Sequence, residues 1–394
     1  MHLQEKRKIA LINGFMGTFH TQPTRFFSSP GRMEMMGNHT DHNHGLALAA
    51  AIDLDIFAAT KPNDLGLIRA ISNGFPALIE INLDELEPIK KEQGTSTSLI
   101  RGVASRIKNK GYNISGFDIY MDSVIPRGAG VSSSAAYEVL IGKVISTLFN
   151  DDKISKFDLA EAAQFAENTF FGKKSGLLDQ IAVAEGGLSL IDFQNPTQPT
   201  VRNIKFEDND YEIIIVNPGG NHSKLTNLYD EVTKDMSKVA KVFKKKYLRE
   251  ISFSEFLVAS PIIYQKVGGR AYLRANHFFE ENIRVSKAVE AMAKKDLALL
   301  RRLIIASGRS SYDFLDNYTY PGDRTASLKT AYHLSIRRFH NGAFRVHGGG
   351  FAGTLLAFVL KEETSNYIKM IESFFGRKRA YIVHIRDEGA TEVF

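Results

Sequence analysis

Hydrogen-bonding side chains crowd one stretch of the sequence, Ser29-Pro30-Gly31-Arg32-Met33-Glu34-Met35-Met36-Gly37-Asn38-His39-Thr40-Asp41-His42-Asn43-His44-Gly45. It follows an aromatic run, Arg25-Phe26-Phe27, that is typical of an extended chain. The amide, imidazole and carboxylate groups of the stretch offer the paired donors and acceptors that sugar hydroxyls need, and Arg32 suits an anionic oxygen. Glycine, Asn and Asp also favour turns for backbone reasons, so the stretch alone is open to either interpretation.

The length and composition of the chain indicate an ordinary globular protein of two domains. Its 394 residues exceed the ~250–300 at which single cores stop growing. The absence of cysteine excludes disulfides, thiolate catalysis and sulfur-based zinc sites. No apolar run approaches the ~20 residues of a membrane span, and the charged N-terminus lacks a long apolar region and a cleavage site. We therefore expect a cytoplasmic monomer with no membrane partner.

The positive charge of the chain raises the question of nucleic acid. The formal net charge is +6 and the isoelectric point is near 9.1. The densest basic run comprises Lys238, Lys241, Lys244, Lys245, Lys246 and Arg249. Because Val239, Val242 and Phe243 are interleaved with it, the run predicts an amphipathic helix with a solvated basic face. No zinc-finger, RNP-type or KH-type signature accompanies it, so we predict no nucleic-acid partner.

Strands and helices alternate along the chain without a strict βαβ rhythm, which favours the α+β class. The first half predicts strands over 47–59, 117–124 and 187–193 and helices over 99–110, 135–149 and 157–171. The turn-rich segment 194–200 predicts a domain boundary, giving domains 1–198 and 199–394. The second half predicts a strand over 213–216, several helices between about 223 and 340, and strands over 353–359 and 379–384.

A glycine- and serine-rich loop lies between a predicted strand and a predicted helix, Pro126-Arg127-Gly128-Ala129-Gly130-Val131-Ser132-Ser133-Ser134-Ala135-Ala136. Glycine lets the backbone approach an anion, and a helix N-terminus offers unpaired N–H groups and a positive dipole end. The serines could cap the helix, bind phosphate oxygens or ligate Mg²⁺. The loop lacks the lysine of a Walker motif and the third glycine of a dinucleotide fingerprint. A serine-capped helix after a glycine turn would look similar.

Taken together, several segments resemble the GHMP small-molecule kinases. The loop 126–136 is similar to their second motif, and Arg345-Val346-His347-Gly348-Gly349-Gly350-Phe351-Ala352-Gly353 is similar to the third, a glycine loop beside the phosphate site. The opening stretch resembles the signature Gly-Arg-x-Asn-x-x-Gly-Glu-His-Thr-Asp-Tyr-Asn of the members that phosphorylate galactose. Segments 166–172 and 176–180 resemble those that carry a Mg²⁺ ligand and the active-site Asp in these members. The segments follow the family's order from residue 30 to 353.

The resemblance implies a two-domain α+β fold with the active site in the cleft between the domains. The N-terminal domain would be like ribosomal protein S5 domain 2, and the C-terminal domain would be ferredoxin-like. The implied reaction is ATP- and Mg²⁺-dependent phosphorylation of the anomeric hydroxyl of galactose, giving α-D-galactose 1-phosphate. Such transfer depends on in-line positioning and charge neutralisation, so a metal, a cation and an anion-binding loop are the parts it requires.

The resemblance also implies a role for individual residues. Asp179 would face the C1 hydroxyl of the sugar, and Arg32 beside it would keep the carboxylate ionised. Glu167 would hold Mg²⁺ with a serine of 132–134, here assigned to Ser133. The sugar contacts would be Asn38, His39, Asp41, the backbone of Gly176, and Tyr229. The ATP contacts would be Gly128, Ala129, Gly130, Val131, Ser132, Ser133, Ser134 and Ala135, with the third-motif glycines Gly348, Gly349 and Gly350 nearby.

Simpler interpretations of three of these side chains stay open. Asp179 could be a turn or cap residue, Glu167 could lie on a solvated helix face, and Tyr229 could be a packed aromatic. Whether Asp179 takes the hydroxyl proton early or only orients the hydroxyl also stays open.

The chain departs from the signature at three positions, with Glu34 for Asn, Asn38 for Glu and His42 for Tyr. Asn221 also replaces a basic residue that often stands there. The side chain at position 38 is expected to touch the C6 hydroxyl, which an Asn can still serve, so galactose leads. Losing a negative charge there would also admit a C6 carboxylate, as in galacturonate. A catalytically silent galactose sensor is a third possibility, but such proteins lose part of the stretch that is complete here at 132–136.

Overall fold

The structure is a computed structural model that describes residues 3–126, 128–208, 210–220 and 225–394. The helices α1–α12 span Leu3–Phe19, Ser96–Asn109, Ser133–Phe149, Lys156–Phe165, Leu178–Glu185, Thr226–Val242, Phe253–Val258, Ser260–Val267, Gly269–Ala293, Leu297–Ser310, Ser327–Arg338 and Thr364–Phe375. The strands β1–β12 span Arg25–Met36, Leu46–Pro62, Leu67–Ser72, Ile79–Asn82, Phe117–Ser123, Leu188–Asp192, Thr200–Ile204, Tyr211–Val216, Ala343–His347, Thr354–Leu360, Ala380–Val383 and Thr391–Glu392. Arg127 and Asn221 lie outside the described residues.

The first sheet is built around the long antiparallel pair of β1 and β2. In the described part of the chain its order is β12-β1-β2-β5-β3-β4, with β6 beside β2 and β7 beside β6. The register of β1 against β2 shifts between Pro30 and Gly31 and again between Glu34 and Met36. Such irregularities bend a strand and re-aim its side chains. The strand segment between these two shifts carries Arg32, whose side chain binds Asp179.

The second sheet has the order β11-β8-β10-β9 among the described residues, and its strands are antiparallel. One of its faces packs against α11 and α12 through a buried cluster that includes Ile214, Leu355, Tyr332 and Tyr367. The chain then returns to the first sheet, where Ile385 pairs with Ile52 and β12 pairs with β1. The chain therefore connects the two sheets twice, once between β7 and β8 and again between β11 and β12.

The predicted division of the chain at residue 198 stays a prediction. Strand β7 follows that point and still pairs with β6 of the first sheet. The second sheet takes its first strand, β8, at Tyr211. By strand pairing alone, the changeover between sheets therefore lies between Ile204 and Tyr211.

The structure also corrects two predicted elements and extends a third. The helix expected over 157–171 is α-helical only to Phe165 and continues as a π-helical turn, Ala166–Phe171, that ends at the left-handed Gly172. The basic run is only partly helical, because α6 ends at Val242 and Lys244 has a left-handed φ of 58°. Residues 29–36 of the opening stretch continue strand β1. None of the described helices is long and apolar enough to cross a membrane.

Candidate active site

The glycine- and serine-rich loop lies at the N-terminus of α3. Gly128 and Gly130 have positive φ values of 71° and 66°, and a Cβ on Gly130 would lie 2.7 Å from the Thr354 hydroxyl. Glycine is therefore required at position 130 by both conformation and space. The side chain of Ser132 makes no capping hydrogen bond to the helix. The N–H groups of the first turn of α3 are thus left for an anion, as at phosphate-binding helix N-termini.

Arg32 and Asp179 form a bidentate ion pair beside this loop. Arg32 Nε donates to Asp179 Oδ1 and Nη2 donates to Oδ2, each at 2.7 Å. The remaining terminal nitrogen, Nη1, donates to the carbonyl of Gly130 at 2.6 Å. Ser132 Oγ donates to Asp179 Oδ2 at 2.7 Å. The strand β1, the phosphate loop and the first turn of α5 therefore meet at one guanidinium group.

The ionisation of Asp179 follows from these contacts. Burial alone would raise the pKa of its carboxyl, but Arg32, the Ser132 hydroxyl and the charge of Lys173 outweigh burial and hold the pKa below its usual 3.8. The side chain is 30% exposed, whereas that of Arg32 is 8% exposed. Asp179 is thus an ionised, aimed carboxylate with one open side, which suits it to accept a hydrogen bond from a substrate hydroxyl.

Glu167 is held at the other side of the loop by three donors. Ser134 Oγ donates to its Oε1 at 2.8 Å, Lys173 Nζ donates to the same oxygen at 3.1 Å, and Gln180 Nε2 donates to Oε2 at 3.2 Å. The sequence analysis paired Glu167 with Ser133, but the side chain that reaches it is that of Ser134. Glu167 is buried, so the interpretation of it as a solvated helix residue is wrong.

A second carboxylate lies behind Glu167 in α3. Glu138 is fully buried, and although Gln180 lies beside it, neither carboxylate oxygen has a hydrogen-bond partner among the described residues. Burial, followed by the charge of Glu167, raises the pKa of Glu138 well above its usual 4.5. The Oε1 atom of Gln180 is likewise unpartnered in the described chain.

This donor set fits Mg²⁺, which prefers hard oxygen ligands and keeps several waters or phosphate oxygens. Glu167 Oε1 and Ser134 Oγ lie 2.8 Å apart and supply oxygens at one point. Among the described residues, no group of three or more His, Asp or Glu side chains is placed to bind a metal by itself. A magnesium ion here would therefore complete its coordination with water or with phosphate oxygens.

Lys173 is a functional candidate that the sequence analysis missed. Burial alone would lower the pKa of its ammonium, but the charges of Glu167 and Asp179 raise it above the usual 10.5. Lys173 therefore remains a cation across the neutral pH range. Lys173 stands in the sequence between segments 166–172 and 176–180, where no motif marks it, so only the fold could bring it to Glu167.

His39 and Tyr229 lie together against the third-motif glycines. The Nε2 atom of His39 contacts the carbonyl of Gly349 at 2.9 Å, and its Nδ1 atom contacts His42 Nε2 at 3.3 Å. Burial and then the charge of His42 lower the pKa of His39 to about 3, so the ring is neutral. The Tyr229 hydroxyl donates to the carbonyl of Gly350 at 3.2 Å, and its ring stacks on His39 with centroids 6.1 Å apart.

Asp41 and Gly176 lie on the Asp179 side of the site. A Cβ on Gly176 would overlap the Oδ2 atom of Asp41, so a larger residue would displace the Asp41 carboxylate. Burial raises the pKa of Asp41 above its usual 3.8, and the charge of Asp179 adds to the rise. Asp41, Gly176 and Asp179, which are distant in sequence, are therefore brought together by the fold.

Asn38 is occupied by protein partners. Its Nδ2 atom donates to the Gly348 carbonyl at 2.6 Å and to Glu34 Oε1 at 3.3 Å. Its Oδ1 atom accepts from Asn317 Nδ2 at 2.8 Å and from Ser311 Oγ at 3.4 Å. The residue is 1% exposed, and these four bonds use the full capacity of a primary amide. Contact with a sugar would require one of them to break.

Glu34, another departure from the signature, contacts Asn38 and the fully buried Arg345. Arg345 Nη2 donates to Glu34 Oε1 at 3.0 Å, and Nη1 donates to the Glu34 carbonyl at 2.8 Å. The signature has Asn and Glu at these positions, and this chain has Glu and Asn. The two departures thus leave one carboxylate and one amide in the same small cluster.

Comparison with known proteins agrees with this arrangement. The family of GHMP kinase N-terminal domains matches residues 98–187, and the galactokinase galactose-binding signature matches residues 13–62. A galactokinase of Limosilactobacillus reuteri is 31% identical, over 90% of this chain and 91% of that protein. One from Lactobacillus helveticus is 30% identical, over 93% of this chain and 94% of that protein.

Solved structures give the same result. The crystal structure of Lactococcus lactis galactokinase complexed with galactose superposes with a TM-score of 0.85 at 26% identity, covering 98% of this chain and all of that one. The Methanococcus jannaschii mevalonate kinase, with a TM-score of 0.67 at 18% identity over 92% of this chain and 98% of that one, shares the fold. The α+β GHMP kinase fold is thereby confirmed. Within that class, the chain belongs to the galactokinase family.

Asp179→Asn provides a first test of the site. The change is isosteric, so the fold should be kept, while turnover should fall by ~10²–10⁴-fold if the carboxylate acts as acid–base partner of the hydroxyl. Steady-state kinetics would measure turnover, and thermal unfolding would check the fold. The exposed Asp64→Asn is the matched control. Turnover like that of the unchanged protein would remove Asp179 from the reaction.

Proposed function

We propose that this protein phosphorylates the anomeric hydroxyl of galactose with ATP, producing α-D-galactose 1-phosphate and ADP. The observation that carries the proposal is the bidentate Arg32–Asp179 pair beside the N-terminus of α3. An aimed carboxylate next to an anion-binding helix end is suited to hold a hydroxyl nucleophile in line with a phosphoryl group. Membership of the galactokinase family supports the same substrate and donor.

In the proposed reaction, Asp179 accepts a hydrogen bond from the C1 hydroxyl and directs its oxygen towards the γ-phosphorus. The N–H groups of the loop and of the first turn of α3 bind the phosphate oxygens. Arg32 keeps the carboxylate ionised and fixes its orientation through two hydrogen bonds. When bound, Mg²⁺ would neutralise phosphate charge, and Glu167 and Ser134 are the residues proposed to hold it, in place of Ser133.

A neutral sugar suits the proposed pocket better than a carboxylated one. Asp41 and Asp179 already place two acidic groups close enough for one to raise the pKa of the other. A third carboxylate, on C6 of galacturonate, would add repulsion within this confined site. His39, Asp41, Gly176 and Tyr229 remain the proposed sugar contacts. Because the amide of Asn38 is fully bonded within the protein, it is proposed to position the third-motif loop.

The cellular compartment and oligomeric state are proposed from composition, and the ion pairs of the folded chain bear on nucleic-acid binding. We propose a cytoplasmic monomer that acts on free sugar and ATP without a nucleic-acid partner. In the folded chain the basic run is divided: Lys238 pairs with Asp235, and Arg249 pairs with Asp192 beyond the end of α6. Part of its charge is therefore neutralised internally, which weakens the case for a basic binding surface.

Sugar specificity is tested by an ADP-release assay across galactose, galacturonate, glucose and their 1-deoxy analogues. Galactose should give the highest kcat/KM, and 1-deoxygalactose should give no sugar-dependent ADP because it lacks the acceptor hydroxyl. Calorimetric titration with galactose would accompany the assay. Binding without ADP release would favour a sensor, and preference for galacturonate would overturn the proposed substrate.

The proposed metal ligand is tested with Glu167→Gln. Losing one charged contact costs about 1.5–3 kcal/mol, so the apparent Mg²⁺ affinity should weaken by roughly 10–100-fold. The KM for galactose should change little, because the sugar contacts are untouched. Titration of Mg²⁺ at fixed ATP gives the first quantity, and the exposed Glu362→Gln serves as control. Equal effects on both quantities, or on neither, would count against Glu167 as a ligand.

A further inference from the structure

Lys173 is held beside Glu167 by both its backbone and its side chain. Its N–H group and that of Gly172 both donate to the carbonyl of Glu167 at 3.0 Å, which closes the π-helical turn Ala166–Phe171. The backbone of Lys173 is therefore held one turn beyond Glu167. Its side chain returns to the same residue, with Nζ 3.1 Å from Glu167 Oε1, and is 54% exposed. A half-exposed ammonium on a four-carbon stem can change partners at low cost.

The surroundings of Lys173 are acidic on several sides. Glu167, Asp179 and the buried Glu138 all face it closely enough to stabilise its positive charge. Arg32, another cation in the described part of the site, already directs Nε and Nη2 at Asp179 and Nη1 at the Gly130 carbonyl. Arg32 is thus committed to holding the carboxylate and the loop. The positive charge of Lys173 remains without a role in the reaction described above.

We propose that the ammonium of Lys173 binds the γ-phosphoryl oxygens of ATP during transfer. This rests on the proposed function, in which Glu167 marks the metal side and Asp179 marks the acceptor hydroxyl. A phosphoryl group passing from ATP to that hydroxyl moves from the Glu167 side to the Asp179 side. Lys173 is placed to reach it, because its Nζ lies 3.1 Å from Glu167 Oε1 and its charge interacts with that of Asp179. Preorganised cations at this position stabilise the charge that spreads over the equatorial oxygens.

The step balances without proton transfer from Lys173. The bond from the sugar O1 to the γ-phosphorus forms as the bond from that phosphorus to the β–γ bridging oxygen breaks. The electron pair of the broken bond leaves with ADP, and the hydroxyl proton passes to Asp179 or to water. Lys173 keeps its protons throughout and contributes charge and hydrogen bonds to the moving group.

The test compares Lys173→Met, Lys173→Arg and the matched control Lys174→Met, which removes an exposed lysine from the adjacent position. Lys173→Met should lower kcat by ~10²–10³-fold, as loss of one transition-state donor does elsewhere. The KM for galactose should be unchanged. Lys173→Arg should recover most of the lost rate because it keeps the charge, and Lys174→Met should behave like the unchanged protein.

Calorimetry gives a readout that does not depend on turnover. Lys173→Met should bind Mg²⁺·ADP as the unchanged protein does but bind the non-hydrolysable analogue Mg²⁺·AMP-PNP more weakly, since only the latter carries a γ-phosphoryl group. Unchanged kcat together with tighter apparent Mg²⁺ binding would overturn the proposal, because Lys173 would then only fill the place of the metal on Glu167. Absence of galactose-dependent ADP release from the unchanged protein would instead contradict the proposed function itself.

Discussion

The bidentate hydrogen bonding of Arg32 to Asp179 is the contact on which the rest of the site depends. It fixes a carboxylate at the start of α5 against the irregular segment of β1, and the third donor of the same guanidinium holds the carbonyl of Gly130. Burial raises the pKa of Asp179, so without a paired cation its carboxylate would bind a proton more readily. One residue therefore sets the charge state of Asp179, its aim, and its distance from the phosphate-binding helix end.

A cluster of buried polar contacts, here called the polar seam, joins β1 of the first sheet to β9 of the second through Glu34, Arg345 and His347. The N–H group of Glu34 on β1 donates to His347 Nε2 on β9 at 3.0 Å, and Arg345 on β9 binds the Glu34 carboxylate. Burial, followed by the charge of Arg32, lowers the pKa of His347 well below 6.5, so its ring is neutral and can accept that bond. Buried ionic groups cost free energy unless they are paired and hydrogen-bonded. Here the pairing places the glycine loop Gly348–Gly350 beside His39.

The sequence predicted the elements and the reaction class well because each depends on local chemistry. The glycines before Ser132 and the helix after them are required wherever a backbone cradles phosphate, and Asp179 and Arg32 sit in recognisable segments. Contacts made through the fold could not be predicted in this way. In the sequence, Glu34 and Asn38 are separate departures from the signature, and Asn38 was predicted to contact the sugar. In the structure the two side chains contact each other inside the polar seam.

The serine that contacts Glu167 also could not be predicted from sequence. Adjacent helix positions point in different directions, and in the structure the serine that reaches the Glu167 carboxylate is Ser134. A role for Lys173 was not predicted, because an exposed lysine in a connecting segment is usually solvated. Its candidate role depends on the carboxylates of Glu138, Glu167 and Asp179, which the fold brings near it.

The account is tested most directly by measuring the pKa of the Asp179 carboxyl with and without Arg32. Carbon-13 NMR of aspartate carboxyls would follow the titration, with Asp179→Asn used to assign the signal and Arg32→Met to remove the cation. The Asp179 pKa should lie below 3.8 in the unchanged protein. It should rise in Arg32→Met, because the largest influence that opposes burial is then removed. The same pKa in both proteins would show that Arg32 does not control this carboxylate, and would contradict the account.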